Sequence, residues 1–395
     1  MRRGRPRTGS ILYAVAATAL IITVACCVAF AHREQLIVHY YVESHLSSAS
    51  PSEETRAWLL ERPPLSSPIL VEKLASSSET ACSRAGRLLG AMLAECKDPA
   101  DPQDAHLSLS LSSMIHQGYA GFSPAGRVEA TNLSLDILRR HLSEWSPNVP
   151  TALATAGQTL LSALLDPSPQ VQRAALGGLP EVWTWNGGDS VVATLVATWK
   201  WRCYRRAVDL LSSPLADVRA AAAGSLVGAT SHDGDHRLIA LLNDVDLAVR
   251  KAALQAILRT AVDSLTSENR SRLVELLSDP DEDVRDVAQR ILLASGLSAE
   301  HVQLAVLLRS EDPKDRAAVA GRVLRAAGID AARWLHELVK DPSSLVRRSA
   351  VEAAGQLPGS DFDEVFRHLF KDDPDPDVRR ACEAVLETKL ARPLQ

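Results

Sequence analysis

Aromatic side chains are scarce. Phe, Trp and Tyr make up 4% of the 395 residues, which argues against an all-β sandwich. Cysteine is scarce too. Six are present and none form a C-x-x-C pair, so neither a disulfide framework nor a zinc site is indicated. Cys82 and Cys96 fall on one predicted helix, about 21 Å apart along its axis and beyond bridging distance. With Cys203 and Cys382 they read as small buried apolar residues. With 20 Gly and 21 Pro, collagen-like and disordered chains are excluded. No G-x-G-x-x-G, P-loop, G-x-S-x-G or H-E-x-x-H occurs, so no familiar catalytic motif is present. The net charge is -5, and it is unevenly placed. Residues 1–31 hold four arginines and no acid, which leaves 39 basic against 48 acidic groups, a net of -9, on the rest. Such a body repels nucleic-acid phosphates, and no nucleic-acid partner is expected.

One long apolar run is present. Residues 11–31 carry no charge and would span roughly 30 Å as a helix, the thickness of a bilayer's hydrocarbon core. Arg2, Arg3, Arg5 and Arg7 precede it. The positive-inside rule then keeps residues 1–10 in the cytoplasm and sends the body across the membrane. An uncleaved transmembrane signal-anchor fits the length. A cleavable signal peptide fits Ala29-Phe30-Ala31, and a lipoprotein cut before Cys26 fits less well. A buried helix of a globular body is the fourth reading. The expected location is a single-pass membrane protein with an extracytoplasmic body, periplasmic if the source is bacterial.

Residues 32–150 read as a helical N-terminal region with a worn repeat around Leu74–Leu89, where Cys82 takes the arginine place described next. Pro63, Pro64 and Pro68 are expected to break the helices there. Leu107-Ser-Leu-Ser-Leu-Ser alternates like a strand but has no visible partner strand, so a weak helix or loop is expected.

From 151 to about 390 a repeat of about seven units decides the architecture. Arg219, Arg250, Arg285, Arg316, Arg347 and Arg379 follow one another at spacings of 31, 35, 31, 31 and 32, and Gln172 holds the same place in an earlier unit. Immediately before each stands Val171, Val218, Val249, Val284, Asp315, Val346 or Val378. Three residues after come Ala175, Ala222, Ala253, Ala288, Val319, Ala350 and Cys382. Nine before come Ala163, Leu210, Leu241, Leu276, Leu307, Leu338 and Phe370, and six before come Asp166, Ser213, Asp244, Asp279, Ser310, Asp341 and Asp373. This register predicts a first helix, a turn at the Asp, and a second helix starting near Val-Arg. One such hairpin cannot bury its apolar faces alone, so copies stack. The Asp and Arg rows predict a ladder of ion pairs that fixes the stacking register. An acid of one unit would meet the Arg of its own or the following unit. Its members are Asp244, Arg250, Asp279, Arg285, Asp341, Arg347, Asp373 and Arg379.

The motif Leu-Leu-x-Asp-x-x-x-x-Val-Arg-x-x-Ala resembles HEAT repeats of the short, lyase-like type in the armadillo superfamily. Leu276-Leu277-Ser278-Asp279 to Val284-Arg285 and Leu338-Val339-Lys340-Asp341 to Val346-Arg347 carry it. The resemblance covers about 151–388. It departs at Asp315-Arg316, which lacks the Val, and at the insertion between the first two units. It implies an all-α chain, an α-α superhelix after the transmembrane helix, with the second helices lining a concave binding face. Some relatives are enzymes. The deoxyhypusine hydroxylase type needs several His-Glu pairs for two irons, and only His336-Glu337 is present here. Nothing points to the bilin pocket of the phycobilin lyase type, and no cofactor is expected.

Three clusters are candidate sites. His232, Asp233, Asp235 and His236 offer two imidazoles and two carboxylates to a divalent cation, although Asp235 also suits a helix N-cap. Asp372 to Asp377 looks like a calcium run but lacks the Gly and the closing Glu of such a loop. The insertion holds Trp183, Trp185, Trp199 and Trp201 with Lys200, Arg202, Arg205 and Arg206. That mix is typical of interface hot spots. Trp183, Trp185, Trp201, Arg202 and Arg205 are the partner-binding candidates, while Trp199 reads as core. The expected function is a membrane-anchored, non-enzymatic scaffold for a protein or peptide. The alternatives are an enzyme or accessory subunit using the His232–His236 cluster, or a purely structural envelope protein.

Overall fold

Proline and Asx chemistry mark the helix starts. The computed structural model describes residues 18, 20–23, 32–96, 101–143, 149–184, 190–229, 235–260, 262, 265–326, 329–357 and 362–391. Every regular element with bounds among them is helical. The chain forms two compact units, Met1–Leu210 and Leu211–Gln395. Among the described residues no helix is long and apolar enough to cross a membrane. Of the run 11–31, only 18 and 20–23 are described, so the transmembrane expectation lies outside the described residues.

The first unit holds α1 (Arg33–Ser47), α2 (Glu53–Leu60), α3 (Pro63–Glu72), α4 (Glu79–Glu95), α5 (Pro102–Gly118), α6 (Pro124–Ser143), α7 (Val149–Leu164), α8 (Pro169–Trp183) and α9 (Ser190–Leu210). The first helices α3, α5, α7 and α9 stack on one another, and so do the second helices α4, α6 and α8. The repeat therefore begins well before residue 151. No boundary falls at 150, because α6 packs on both α7 and α8. Pro63 and Pro64 open α3 rather than breaking it, since the first turn has no intrahelical use for their missing N–H groups. Pro68 stands inside the same helix. The alternating Leu-Ser segment is part of α5, with Ser108, Leu111, Ser112 and Ile115 buried. Ser112 Oγ donates back to the Leu109 carbonyl at 2.9 Å, whereas the buried Ser108 Oγ has no partner. Gly126 is forced by close approach: a Cβ there would sit 1.7 Å from the Leu74 carbonyl oxygen.

The second unit holds α10 (Ala216–Ser225), α11 (Asp235–Ala240), α12 (Leu247–Thr260), α13 (Ser267–Glu275), α14 (Glu282–Ala294), α15 (Ala299–Leu308), α16 (Pro313–Val323), α17 (Ala331–Leu338), α18 (Ser344–Ala354), α19 (Asp363–Asp372) and α20 (Pro376–Ala391). From α11 onward these form hairpins. The two rows around the Arg place are core. Val218, Val249, Val284, Val346 and Val378 are fully buried, as are Ala222, Ala253, Ala288, Val319, Ala350 and Cys382. The apolar row nine residues earlier holds less well. Phe370 is 43% exposed, and Phe362 and Phe366 fill that place instead. Phe362 stacks on His336 at 4.0 Å and on Phe366 at 5.7 Å. Second helices pack pairwise, α10 on α12, α12 on α14, α16 on α18 and α18 on α20, whereas α14 meets the next hairpin through α15.

Cys82, Cys96, Cys203 and Cys382 are free and buried. Burial pushes the Cys203 thiol up to about 12 and the Cys96 and Cys382 thiols up to about 11. Cys96, Cys203 and Cys382 therefore stay protonated and inert at neutral pH.

Candidate functional site

The turn aspartate does two jobs. Asp244 and Asp279 end 3-10 turns in extended conformation. Each offers one carboxylate oxygen to the N–H two residues on, Asp246 and Asp281, both at 2.9 Å. The Ser343 and Asp375 N–H groups donate likewise to Asp341 at 2.8 Å and Asp373 at 2.9 Å. The carboxylate is left facing the arginine of the preceding unit. Arg219 grips Asp244 with two bonds of 2.8 Å. Arg316 grips Asp341 at 2.7 and 3.0 Å, and Arg347 grips Asp373 at 2.8 and 2.9 Å. Arg250 reaches Asp279 at 3.0 and 3.3 Å.

This direction corrects the expected pairing. An acid meets the arginine of the unit before it, not of its own unit or the one after. Each arginine reaches its own aspartate only through the main chain. Arg250, Arg285, Arg347 and Arg379 donate Nη1 to the carbonyls of Asp244, Asp279, Asp341 and Asp373 at 2.9, 2.7, 2.9 and 2.6 Å. The reason is the length of the side chain: it folds back over its own turn and projects its free edge at the next one.

Between Arg219 and Asp373 the ladder has one gap among the described residues: Arg285 faces a unit with Ser310 at the Asp place, and its Nη1 donates to the Asp279 and Pro280 carbonyls. Ser310 instead donates to Asp315, the residue that replaces the Val, at 2.8 Å. At this gap α14 and α16 make little or no direct contact. One rung was not anticipated. Arg127 Nε lies 2.6 Å from Asp166, and its Nη1 donates to the Phe122 carbonyl at 2.8 Å. Gln172 donates to the Asp166 carbonyl at 2.8 Å, as the arginines do elsewhere. Cys82 Sγ lies 3.3 Å from the Ser76 carbonyl, the same six-residue offset.

The tryptophan segment divides by face. On α9, Val196, Trp199, Cys203 and Ala207 are buried. The Trp199 ring occupies the space over Gly157 of α7, where a Cβ would lie 2.5 Å from it. Trp183 is also buried, 7% exposed, and meets Tyr204 edge-on at 6.3 Å. It is packing, not an exposed contact residue. Two cations are spent inside the unit. Lys200 Nζ donates to the Trp183 carbonyl at 3.3 Å and Arg206 Nε to the Leu164 carbonyl at 3.2 Å. Both cap helix C-termini, and burial lowers the Lys200 pKa. What remains outside is Trp201, Arg202 and Arg205. Trp201 is 48% exposed, stacked on the buried Tyr204 at 5.7 Å and 19°. The Arg205 guanidinium lies 5.9 Å from the Trp201 ring centre. Trp185 lies outside the described residues.

His232 and Asp233 also lie outside the described residues, while Asp235 opens α11 and His236 is exposed. Among the described residues, no group of three or more His, Cys, Asp or Glu is placed to hold a metal ion. The acidic run 372–377 spans the last residue of α19, a turn at 373–375 and the start of α20. Asp373 serves the ladder, and Asp375 accepts from the Asp377 N–H at 2.8 Å.

Residues 302–387 match the family model described as HEAT repeats. This matched stretch lies in the second unit. Both rungs Arg316–Asp341 and Arg347–Asp373 lie within it. No curated protein matches the chain. Among solved structures, an engineered protein aligns at 19% identity over 90% of this chain and 99% of its own, with a TM-score of 0.41. A designed armadillo repeat protein in complex with the peptide (KR)4 aligns at 19% identity over 58% of this chain and 99% of its own, with a TM-score of 0.40. Importin beta aligns at 14% identity over 96% of this chain and 54% of its own, with a TM-score of 0.48.

Proposed function

We propose that this chain is a non-enzymatic helical-repeat scaffold that binds a protein or peptide partner, held at a membrane by residues 11–31 with its body on the extracytoplasmic side. The observation that carries the binding claim is Trp201. A half-exposed indole is held flat on a buried tyrosine, with Arg202 and Arg205 exposed around it. A rigid aromatic anchor loses little side-chain freedom on docking, and Trp and Arg dominate interface energetics. The anchoring claim rests on the 21 uncharged residues behind four arginines. Leu20, Ile21 and Ile22 are 66%, 67% and 57% exposed, which weighs against a helix buried in the body.

A photoreactive amino acid at position 202 of the full chain, expressed in its native host, is expected to give a discrete protein adduct. Trp201→Ala combined with Arg205→Ala is expected to cut its yield at least about tenfold. An adduct no stronger than one from exposed position 237, or indifferent to the double change, removes the binding reading. A topology reporter fused after Gln395 is expected to signal from the extracytoplasmic side. A cytoplasmic signal removes the location.

A further inference from the structure

A cavity of about 470 Å³ opens in the first unit between the end of α1, the start of α2 and the outer face of α4, and its charge is unlike that of the rest of the body. Its lining is His45, Pro51, Glu53, Arg56, Arg84, Arg87 and Leu88. Three guanidiniums against one carboxylate leave a net of two positive charges in a body whose own net charge is -9. Glu129 of α6 also faces Arg87 but does not line the cavity.

Each group is placed by local structure. Arg84 caps the C-terminal end of α1 with one nitrogen only. Its Nη1 donates to the carbonyls of His45 at 3.4 Å, Leu46 at 2.9 Å and Ser48, which leaves Nε and Nη2 uncommitted. Arg56 and Glu53 form a solvent-exposed pair one helical turn apart, 3.2 Å long and readily exchanged for a better anion. Arg87 donates Nε to the Ser83 carbonyl at 3.4 Å and lines the cavity while also facing Glu129.

His45 supplies the independent sign of a ligand. It is 7% exposed, and its Nδ1 has no hydrogen-bond partner. A buried polar atom without a partner costs free energy unless something binds it. Burial first, and then Arg84, Arg56 and Arg87, hold its pKa below the ordinary imidazole value. A neutral ring can turn an N–H toward an anion's oxygen.

We propose that this cavity binds a phosphate-monoester-type dianion. Two net positive charges match a group carrying roughly -1.5 to -2 at neutral pH. Guanidinium nitrogens pair with phosphate oxygens in fork geometry. The volume falls within the roughly 300–1,000 Å³ range of small-ligand sites, larger than phosphate alone requires. A phosphorylated small molecule and the headgroup of a phosphate-monoester lipid share this chemistry.

The test is calorimetric titration of the full chain with inorganic phosphate, glycerol 1-phosphate and soluble dihexanoyl phosphatidic acid. Saturable binding of at least one probe is expected. Arg56→Gln and Arg87→Gln, both at exposed side chains, should each weaken it about tenfold. Arg325→Gln, which removes a charge from the other unit, should leave it unchanged. In the imidazole NMR signals, phosphate should raise the His45 pKa, because the anion offsets the arginine field. Dihexanoyl phosphatidic acid binding more than tenfold tighter than glycerol 1-phosphate assigns the lipid source, and equal affinity assigns the soluble one. No binding at ~10 mM of any probe overturns the site. So does binding that Arg56→Gln and Arg87→Gln leave intact. Acetate binding as tightly as phosphate overturns the dianion assignment.

Discussion

Replacing Arg347 by alanine lowers the stability of the second unit by about 3 kcal/mol. The guanidinium makes two bonds to Asp373 at 2.8 and 2.9 Å and two more to the Asp341 and Pro342 carbonyls at 2.9 and 3.0 Å. Both side chains are largely out of water, 11% and 2% exposed. Removal strands a buried carboxylate, and that desolvation cost sets the size of the effect. Arg347→Lys keeps the charge but loses the fork, so it is expected to recover less than half. Hydrogen exchange of the α18 and α20 amides in the full chain reads the local free energy without assuming all-or-none unfolding. An Arg347→Ala value within about 0.5 kcal/mol of the parent would show the ladder to be ornamental.

The same pairs set an acid limit. The Arg219 fork holds the Asp244 carboxyl below its ordinary value. Burial pushes Asp341 and Asp373 up, but Arg316, Arg347 and the turn N–H groups more than offset it, so both are lowered. A lowered carboxylate contributes stability that is complete above its unfolded pKa and lost as pH falls through the lower folded one. The ladder therefore weakens only below about pH 4.

A second loss precedes it. Between pH 7 and pH 5 the first unit is expected to lose about 2 kcal/mol, and about 3 kcal/mol by pH 4. The source is His141 on α6, 4% exposed, with neither ring nitrogen hydrogen-bonded. Burial first, and then the charge of Arg140, lower its pKa to about 4 from an unfolded 6.5. The unfolded chain takes up the proton first, so stability is full above 6.5 and falls toward 4. His141→Leu removes two unpaired nitrogens and is expected to flatten this slope at little cost at pH 7. Exchange of the α6 amides at pH 7 and pH 5 measures it. A His141→Leu slope as steep as the parent's would place the effect elsewhere, His45 being the other buried histidine with a lowered pKa.

The buried rows were readable because Val and Ala recur at fixed offsets from the arginines, and the same offsets place the turns. The Arg127 rung was not readable. Its neighbour is Gly126 rather than Val, since α6 passes so close to the Leu74 carbonyl that no side chain fits. Trp183 and Trp201 look alike in sequence. Tyr204 separates them, covering one edge-on and presenting the other. The early repeats were hidden by prolines that open a helix and serines that bond back to their own helix.

The sequence by itself determined the all-α repeat, its period and the chemistry of each turn, because helix faces and Asx turns are written within about 30 residues. Only the tertiary structure decided which carboxylate each arginine grips, which tryptophan meets solvent, and that three arginines gather around an unpartnered histidine. Those facts depend on how one hairpin sits against the next, bringing together side chains 25 to 40 positions apart whose partners no local pattern names.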